Sequence, residues 1–317
     1  MIDYPSSARA TRDAYGAALI ELGNHSDVVV INADLSASTR TRGFEHAHPE
    51  RFFNVGVAEQ NLIGVAAGLA LTGYTVFAST FAVFASCRAA DQVRNTVCLN
   101  NLNVKIVATH AGLTVGEDGA SHQALEDIAI MRAFPNMRVI VPSDYEETLQ
   151  VIRYVASAPG PFYVRLGRVA APALPVTPHR FQLGCAAEIR PGRDAYFVAC
   201  GLMVNEAYQA AAQLEGEGYH VGVLAASSVK PLDANAVLAA GRRSGLLITV
   251  EEHSVLGGLG GAVAETVGET GAMRIVRLGT PDVFGQSGDA RSLLDSFGLT
   301  SQGLATTVQR LLAARSK

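Results

Sequence analysis

The sequence predicts an α/β protein of two doubly wound domains, each built on a mostly parallel sheet. Three observations carry that prediction. Short Val- and Ile-rich runs alternate with stretches whose apolar residues fall at helical spacing. The alternation breaks once, across 169–179, where Pro172, Pro175 and Pro178 recur within a few residues and read as an extended linker. A second, shorter alternating unit then follows. The expected organisation is a first domain over 1–170, a linker over 171–190 and a smaller second domain over 191–317.

In the first unit, Asp27–Asn32, Thr75–Ser79, Val104–Thr109, Met137–Val141 and Phe162–Leu166 read as strands. Continuous apolar runs of this length suit a sheet covered on both faces. Arg9–Leu22, Glu59–Leu71, Phe84–Leu99, Gln123–Ala133 and Tyr145–Ala156 read as the covering helices. In the second unit the expected strands are Ala195–Ala199, His220–Leu224, Leu246–Val250 and Arg274–Leu278. Its expected helices are Val204–Glu215, Asp233–Arg243, Gly261–Thr270, Asp289–Phe297 and Ser301–Ala314.

Apolar residues make up 49% of the 317 and charged residues 17%, a balance that fills two cores and argues against disorder. A net charge of −4, with lysine only at Lys105, Lys230 and Lys317, offers no basic footprint for nucleic acid or an anionic membrane. The longest apolar stretch, Leu62 to Leu71, is about half a membrane span. The opening Met1-Ile2-Asp3-Tyr4-Pro5 shows no secretory pattern. Cys87, Cys98, Cys185 and Cys200 form no Cys-x-x-Cys pair, so buried reduced thiols in a cytoplasmic protein are expected, with no metal bound by this chain.

Four stretches concentrate chemistry. Phe53-Asn54-Val55-Gly56-Val57-Ala58-Glu59-Gln60-Asn61 places Glu59 at the head of a helix whose next two turns carry no polar side chain. A helix apolar all round is buried. Gly64 and Gly68 would let another backbone approach, and a carboxyl at its mouth is disfavoured in its charged form unless paired. The plainer alternative is an acid favoured by the helix dipole.

Next, Ser79-Thr80-Phe81-Ala82-Val83-Phe84 passes from strand to helix with two aromatics on one face, at the sheet edge where α/β folds bind ligands. Core packing is the alternative for both rings. The third stretch, Thr109 to Gln123, gathers His110, Glu117, Asp118 and His122 in a glycine-rich loop. That mixture suits hydrogen bonding to a polyhydroxylated ligand, and its spacing fits no helical metal motif. The fourth, Tyr163-Val164-Arg165-Leu166-Gly167-Arg168, ends a strand on Arg165. It reads either as a fork for phosphate or carboxylate or as an ion pair at the domain boundary.

Taken in order, these stretches resemble the C-terminal part of transketolase, in particular the separately encoded C-terminal subunit of a split transketolase. The resemblance covers essentially the whole chain. It includes Gly116-Glu117-Asp118-Gly119, Pro135-Asn136-Met137 and Pro142-Ser143-Asp144 in the first domain. In the second it includes Lys230-Pro231-Leu232-Asp233, Glu251-Glu252-His253 and Gly257-Gly258-Leu259-Gly260.

The resemblance implies transfer of a two-carbon ketol unit from a ketose to an aldose acceptor, dependent on thiamine diphosphate. It implies that Glu59 hydrogen-bonds the N1′ of the cofactor's aminopyrimidine and favours the imino tautomer that acts as base. Phe81 and Phe84 would wall that ring, with Glu59, His110 and His122 as the catalytic groups. Asp118 and His122 would contact donor hydroxyls, and Ser38 and Arg165 the far phosphate. Arg9 and Arg12 are left unassigned as a further phosphate contact.

Two departures stand out. Cys87 occupies a position where full-length relatives often carry tyrosine. Gly288-Asp289-Ala290 has the wrong third residue for the Gly-Asp-Gly that carries Mg²⁺ and the diphosphate, and no Asn follows it. The resemblance therefore implies a partner N-terminal subunit holding Mg²⁺ and the diphosphate, with two copies of each chain in a heterotetramer. Deoxyxylulose-phosphate synthase and the beta subunits of 2-oxo-acid dehydrogenases are related alternatives. Two other readings are kept: a transferase of a specialised pathway using a 2-oxo acid or a non-phosphate sugar, and a non-catalytic subunit.

Overall fold

A computed structural model describes residues 8–174, 180–269 and 273–315; Pro175 and Pro178 of the expected linker, the first five residues and Lys317 lie outside them. The first unit runs β1 (Arg9–Ala10), α1 (Thr11–Leu22), β2 (Val28–Asn32), α2 (Arg42–Ala47), β3 (Phe52–Asn54), α3 (Glu59–Leu71) and β4 (Thr75–Phe81). A helical stretch follows in which wide π turns, Phe84–Arg88 and Val93–Cys98, flank α4 (Ala90–Gln92). Then come β5 (Val104–Thr109), a 3-10 segment at Leu113–Asp118, α5 (Asp127–Ala133), β6 (Arg138–Ile140), α6 (Tyr145–Ser157), β7 (Phe162–Arg165) and β8 (Ala170–Ala171).

The second unit runs β9 (Ala187–Arg190), β10 (Ala195–Ala199), α7 (Met203–Gly216), β11 (Val221–Ala225), β12 (Ser228–Lys230), α8 (Ala234–Ser244) and β13 (Leu246–Ser254). It ends with α9 (Leu259–Gly268), β14 (Arg274–Thr280), α10 (Ala290–Ser296) and α11 (Ser301–Ala313). No helix among the described residues is long and apolar enough to cross a membrane.

Two mostly parallel sheets result. The first has the order β12-β6-β7-β5-β4-β2-β3 and the second β14-β13-β10-β11-β9. The central strands β2, β4, β5 and β10 are buried along their whole length, in keeping with their mostly apolar runs. β9 begins at Ala187 inside the expected linker and pairs antiparallel with β11.

The two units are stitched together. β12 leaves the second unit and pairs antiparallel with β6, Ser228 opposite Ile140. Lys230 then donates to the carbonyls of Arg132 and Phe134 at 2.8 and 2.6 Å, closing the C-terminal end of α5. One apolar core accordingly contains both Ile106 and Val139 of the first unit and Val198 and Leu247 of the second.

Two expectations are corrected. Helix α3 buries Leu62, Ile63, Ala66 and Ala67, each large side chain worth roughly 1.5–3 kcal/mol, but its other face is open. A Cβ added at Gly64 or Gly68 meets nothing within 4 Å, and Leu71 is 73% exposed. The all-apolar pattern is thus divided between this chain's core and an uncovered face. Of the thiols, Cys98 and Cys200 are buried, but Cys87 and Cys185 are exposed, because they lie on an open wall and on the loop before β9.

Candidate active site

The chemistry gathers where the parallel strands of the first sheet end. Asn54 ends β3 before Glu59, Phe81 ends β4, His110 follows β5, and Ser38 lies on the loop after β2. Glu59 is the first residue of α3, where a carboxylate meets the helix's unpaired N–H groups. It is 3% exposed, and Arg88 Nη1 donates to both of its oxygens at 3.1 and 3.2 Å. The Arg88 guanidinium lies 4.0 Å over the ring of Phe84.

Phe84 stacks on Phe81 at 5.8 Å with 16° between planes, and Phe81 stacks in turn on His110 at 3.8 Å. Phe81 is covered by these neighbours and is 7% exposed, so it backs Phe84, which also carries the Arg88 guanidinium. His122 packs edge-on against both rings, and its Nδ1 lies 2.9 Å from the Ser121 hydroxyl.

His110 is held from both sides. Arg12 Nη1 donates towards His110 Nε2 across 3.4 Å, which leaves Nδ1 to donate to Thr109 Oγ1 at 2.8 Å. Its backbone sits at φ 56°, a left-handed conformation that costs about 1–3 kcal/mol away from glycine and clusters at functional sites. Burial, then the Arg12 and Arg168 guanidinium groups, lowers its pKa to about 3.

Three arginines converge here. Arg12 also donates to the Ser38 carbonyl at 3.1 Å, its buried Nε has no partner, and burial with Arg40 disfavours its charge. Arg168 reaches Glu117 and Asp118 at 3.5 and 3.6 Å, distances too long for firm pairing. Arg40 pairs with Asp13 at 2.6 Å. Arg9 lies elsewhere, paired with Glu146 and stacked on Tyr145.

Arg165 corrects the sequence expectation of a phosphate contact. It is 5% exposed, and its Nε donates to Asp127 Oδ2 at 2.8 Å. Its Nη2 donates to the Ala124 and Glu252 carbonyls at 3.0 and 2.9 Å. The cavity beside it is about 30 Å³, room for one water rather than a phosphate. It is the domain-boundary ion pair, also joined by the Tyr163 hydroxyl at 2.6 Å. Arg168, three residues on and half-exposed, lies instead with Arg12 beside His110. Gly167, which frees the chain from the strand before Arg168, was the available signal.

The second unit shapes the loop that carries Asp118. The Glu252 carboxylate accepts from the Thr114 N–H. Gly112, at φ 83°, passes so close that an added Cβ would sit 2.4 Å from the Glu252 carboxyl carbon. Next to it, His253 Nε2 accepts from the Ala129 N–H at 3.3 Å while Nδ1 donates to the Ser254 carbonyl. Glu251 accepts from the Leu259 and Gly260 N–H groups at the head of α9. The Glu251-Glu252-His253 run is therefore a fastening between units. Asp289 accepts from Ser292 N–H at 3.0 Å and caps α10, so the Gly-Asp-Ala sequence is a helix start.

Fold and site together define a two-domain α/β chain whose sheet edge carries a stacked aromatic pair, a buried carboxylate and a cationic recess. Residues 7–172 match the transketolase pyrimidine-binding domain and residues 184–304 the transketolase C-terminal domain. The chain belongs to the transketolase family. It is 46% identical to a transketolase C-terminal section of Methanocaldococcus jannaschii, over 97% of this chain and 98% of that one. It is 40% identical to a 6-deoxy-6-sulfo-D-fructose transketolase subunit of Clostridium sp., over 92% and 91% respectively. Among solved structures, a split-gene transketolase in an inactive β4 tetramer superposes with a TM-score of 0.87, at 46% identity over 96% of this chain and 99% of that one.

Proposed function

We propose that this chain is the aminopyrimidine-holding subunit of a thiamine-diphosphate-dependent transketolase acting on sugars with an anionic terminus, a phosphate in the first instance. The observation that carries the reading is the Arg12, Arg40 and Arg168 cluster around neutral His110. A buried guanidinium N–H without a partner, among like charges, favours an anionic ligand.

The residues fit the cofactor's ring. Glu59 offers a buried carboxylate with both oxygens already accepting from a planar N–H donor, and Phe84 offers an aromatic face. When bound, thiamine diphosphate supplies the nucleophilic carbon and the electron sink for carbon–carbon cleavage. Glu59 would hold the proton at N1′, with Phe84, backed by Phe81, excluding water from the ring. His110, kept neutral, would lie near the reacting carbons, its Nε2 able to accept from a ligand only where Arg12 Nη1 releases it. Asp118 and His122 would orient donor hydroxyls. Ser38 and the two nearer arginines would receive the terminal anion.

Function would require a partner N-terminal subunit that holds Mg²⁺ and the diphosphate, two copies of each chain making a cytoplasmic heterotetramer. The open face of α3 with the 72%-exposed Val57 beside it supports such an arrangement, as does the inactivity of the split-gene relative as four beta chains. A relative named for a sulfonated fructose favours a second reading, a sulfonate in place of phosphate; guanidinium forks accept either.

The test is to purify the chain with its partner subunit and screen ketoses ending in phosphate, sulfonate or hydroxyl against aldehydes. Mass detection of a two-carbon shift in the acceptor is the expected result. A shift with hydroxyl-ended ketoses as efficient as with anionic ones would contradict the anion reading. Equal activity of the chain alone would contradict the partner.

A further inference from the structure

We infer that Arg88 is an internal stand-in for the aminopyrimidine, closing the Glu59–Phe84 pocket while the cofactor is absent and swinging out to admit it. The inference rests on the cofactor reading proposed above.

A guanidinium is flat, donates in its plane and presents a π face. Arg88 uses both properties at once. In its plane, Nη1 donates to the two Glu59 oxygens at 3.1 and 3.2 Å. Its guanidinium carbon also lies 4.0 Å from the centre of the Phe84 ring, close enough for its π face to cover that ring. An aminopyrimidine held by Glu59 and walled by Phe84 needs the same pair of contacts, so the two groups cannot be seated together.

The backbone makes the arrangement local. Phe84–Arg88 is a single wide π turn, a form enriched at functional sites, and it brings the fifth residue back over the first. The Arg88 carbonyl accepts from Gln60 Nε2 at 3.1 Å. That bond ties the turn to α3 beside Glu59, so the side chain can leave while the main chain stays.

The burial of the two partners differs. Glu59 is 3% exposed and Arg88 51%. Among the described residues Arg88 is the one group that donates to the Glu59 carboxylate. Without it, a buried carboxylate would be left unpaired, which is costly. Arg88, in contrast, needs only a rotation to reach water. The pair is therefore asymmetric: Glu59 must always have a donor, and Arg88 is free to yield its place to a better one. The stand-in preserves the pocket before assembly and lowers the apparent affinity for the cofactor, because each binding event must displace it.

The test is calorimetric titration of thiamine diphosphate with Mg²⁺ into the chain purified with its partner subunit, with no substrate present. Arg88→Met, which keeps the stem and removes the donor, is expected to tighten the cofactor Kd by roughly three- to tenfold. Arg88→Lys, which can pair with Glu59 but has no flat face, should fall between Met and wild type. Thermal unfolding of the cofactor-free chain supplies the internal check. Arg88→Met should lower Tm in the wild-type background and leave it unchanged when Glu59→Gln is already present. An unchanged or weakened Kd in folded Arg88→Met overturns the stand-in while leaving the cofactor reading intact. Absence of cofactor binding in every variant, wild type included, overturns the cofactor reading and the stand-in with it.

Discussion

Arg12 Nη1 lies 3.4 Å from His110 Nε2, while the neighbouring Arg12 Nε, buried, has no partner of its own. The contact favours the tautomer with the proton on Nδ1, and the unpartnered Nε marks the side of the guanidinium left for a ligand. Because burial and then the arginines take the His110 pKa from 6.5 to about 3, the ring stays neutral at working pH. Its ring-carbon NMR shifts should be flat from about pH 8 to 5. Being lower in the folded state, this pKa contributes stability that is complete above 6.5 and is lost as pH falls towards 3. His110→Asn should flatten that part of the stability–pH curve.

Removing the arginines should separate binding from chemistry. Arg12→Met and Arg168→Met each are expected to raise KM for an anion-ended ketose by about tenfold or more, the scale of one charge-assisted hydrogen bond. The corresponding value for a hydroxyl-ended ketose should change little. Steady-state kinetics of the assembled enzyme read both.

Arg165 should behave in the opposite way. Arg165→Met leaves Asp127, fully buried, without its cation, and breaking such a pair costs about 3–5 kcal/mol. Denaturant unfolding should show that loss. A full-stability variant with a raised KM would instead return Arg165 to the substrate.

Glu252→Ala should loosen the Leu113–Asp118 segment from the second unit. Loss of the acceptor for Thr114 N–H costs roughly 1–3 kcal/mol. Hydrogen exchange at Thr114 and its neighbours should quicken, with a smaller rise in KM through Asp118 and His122.

The Val- and Ile-rich strands were legible because β2, β4, β5, β10 and β11 are buried on both faces. The short ones were not. Ser228–Lys230 becomes β12 only by pairing with Arg138–Ile140 in the other unit, a contact with no local pattern. Phe84–Leu99 reads as an α-helix, since so few turns cannot separate an α from a π period; the π turn is what lays Arg88 over Phe84. Strand ends and loop composition singled out Glu59, Phe84, His110, Asp118 and His122 stretch by stretch; only the resemblance joined them into one site. The burial of Arg165 beside Asp127 was not legible, because Arg165 and Arg168 follow the same strand and only burial tells them apart. The open face of α3 was missed because an all-apolar helix looks the same whether its own chain or another covers it.

The central claim is that Glu59 acts on the aminopyrimidine. It is tested most directly by deuterium exchange at the thiazolium C2 of thiamine diphosphate, followed by NMR in the assembled enzyme without substrate. Glu59→Gln is expected to slow exchange by about 10²-fold or more, the scale of a positioned proton-transfer group. Exchange within twofold of wild type, with cofactor bound, would contradict the assignment.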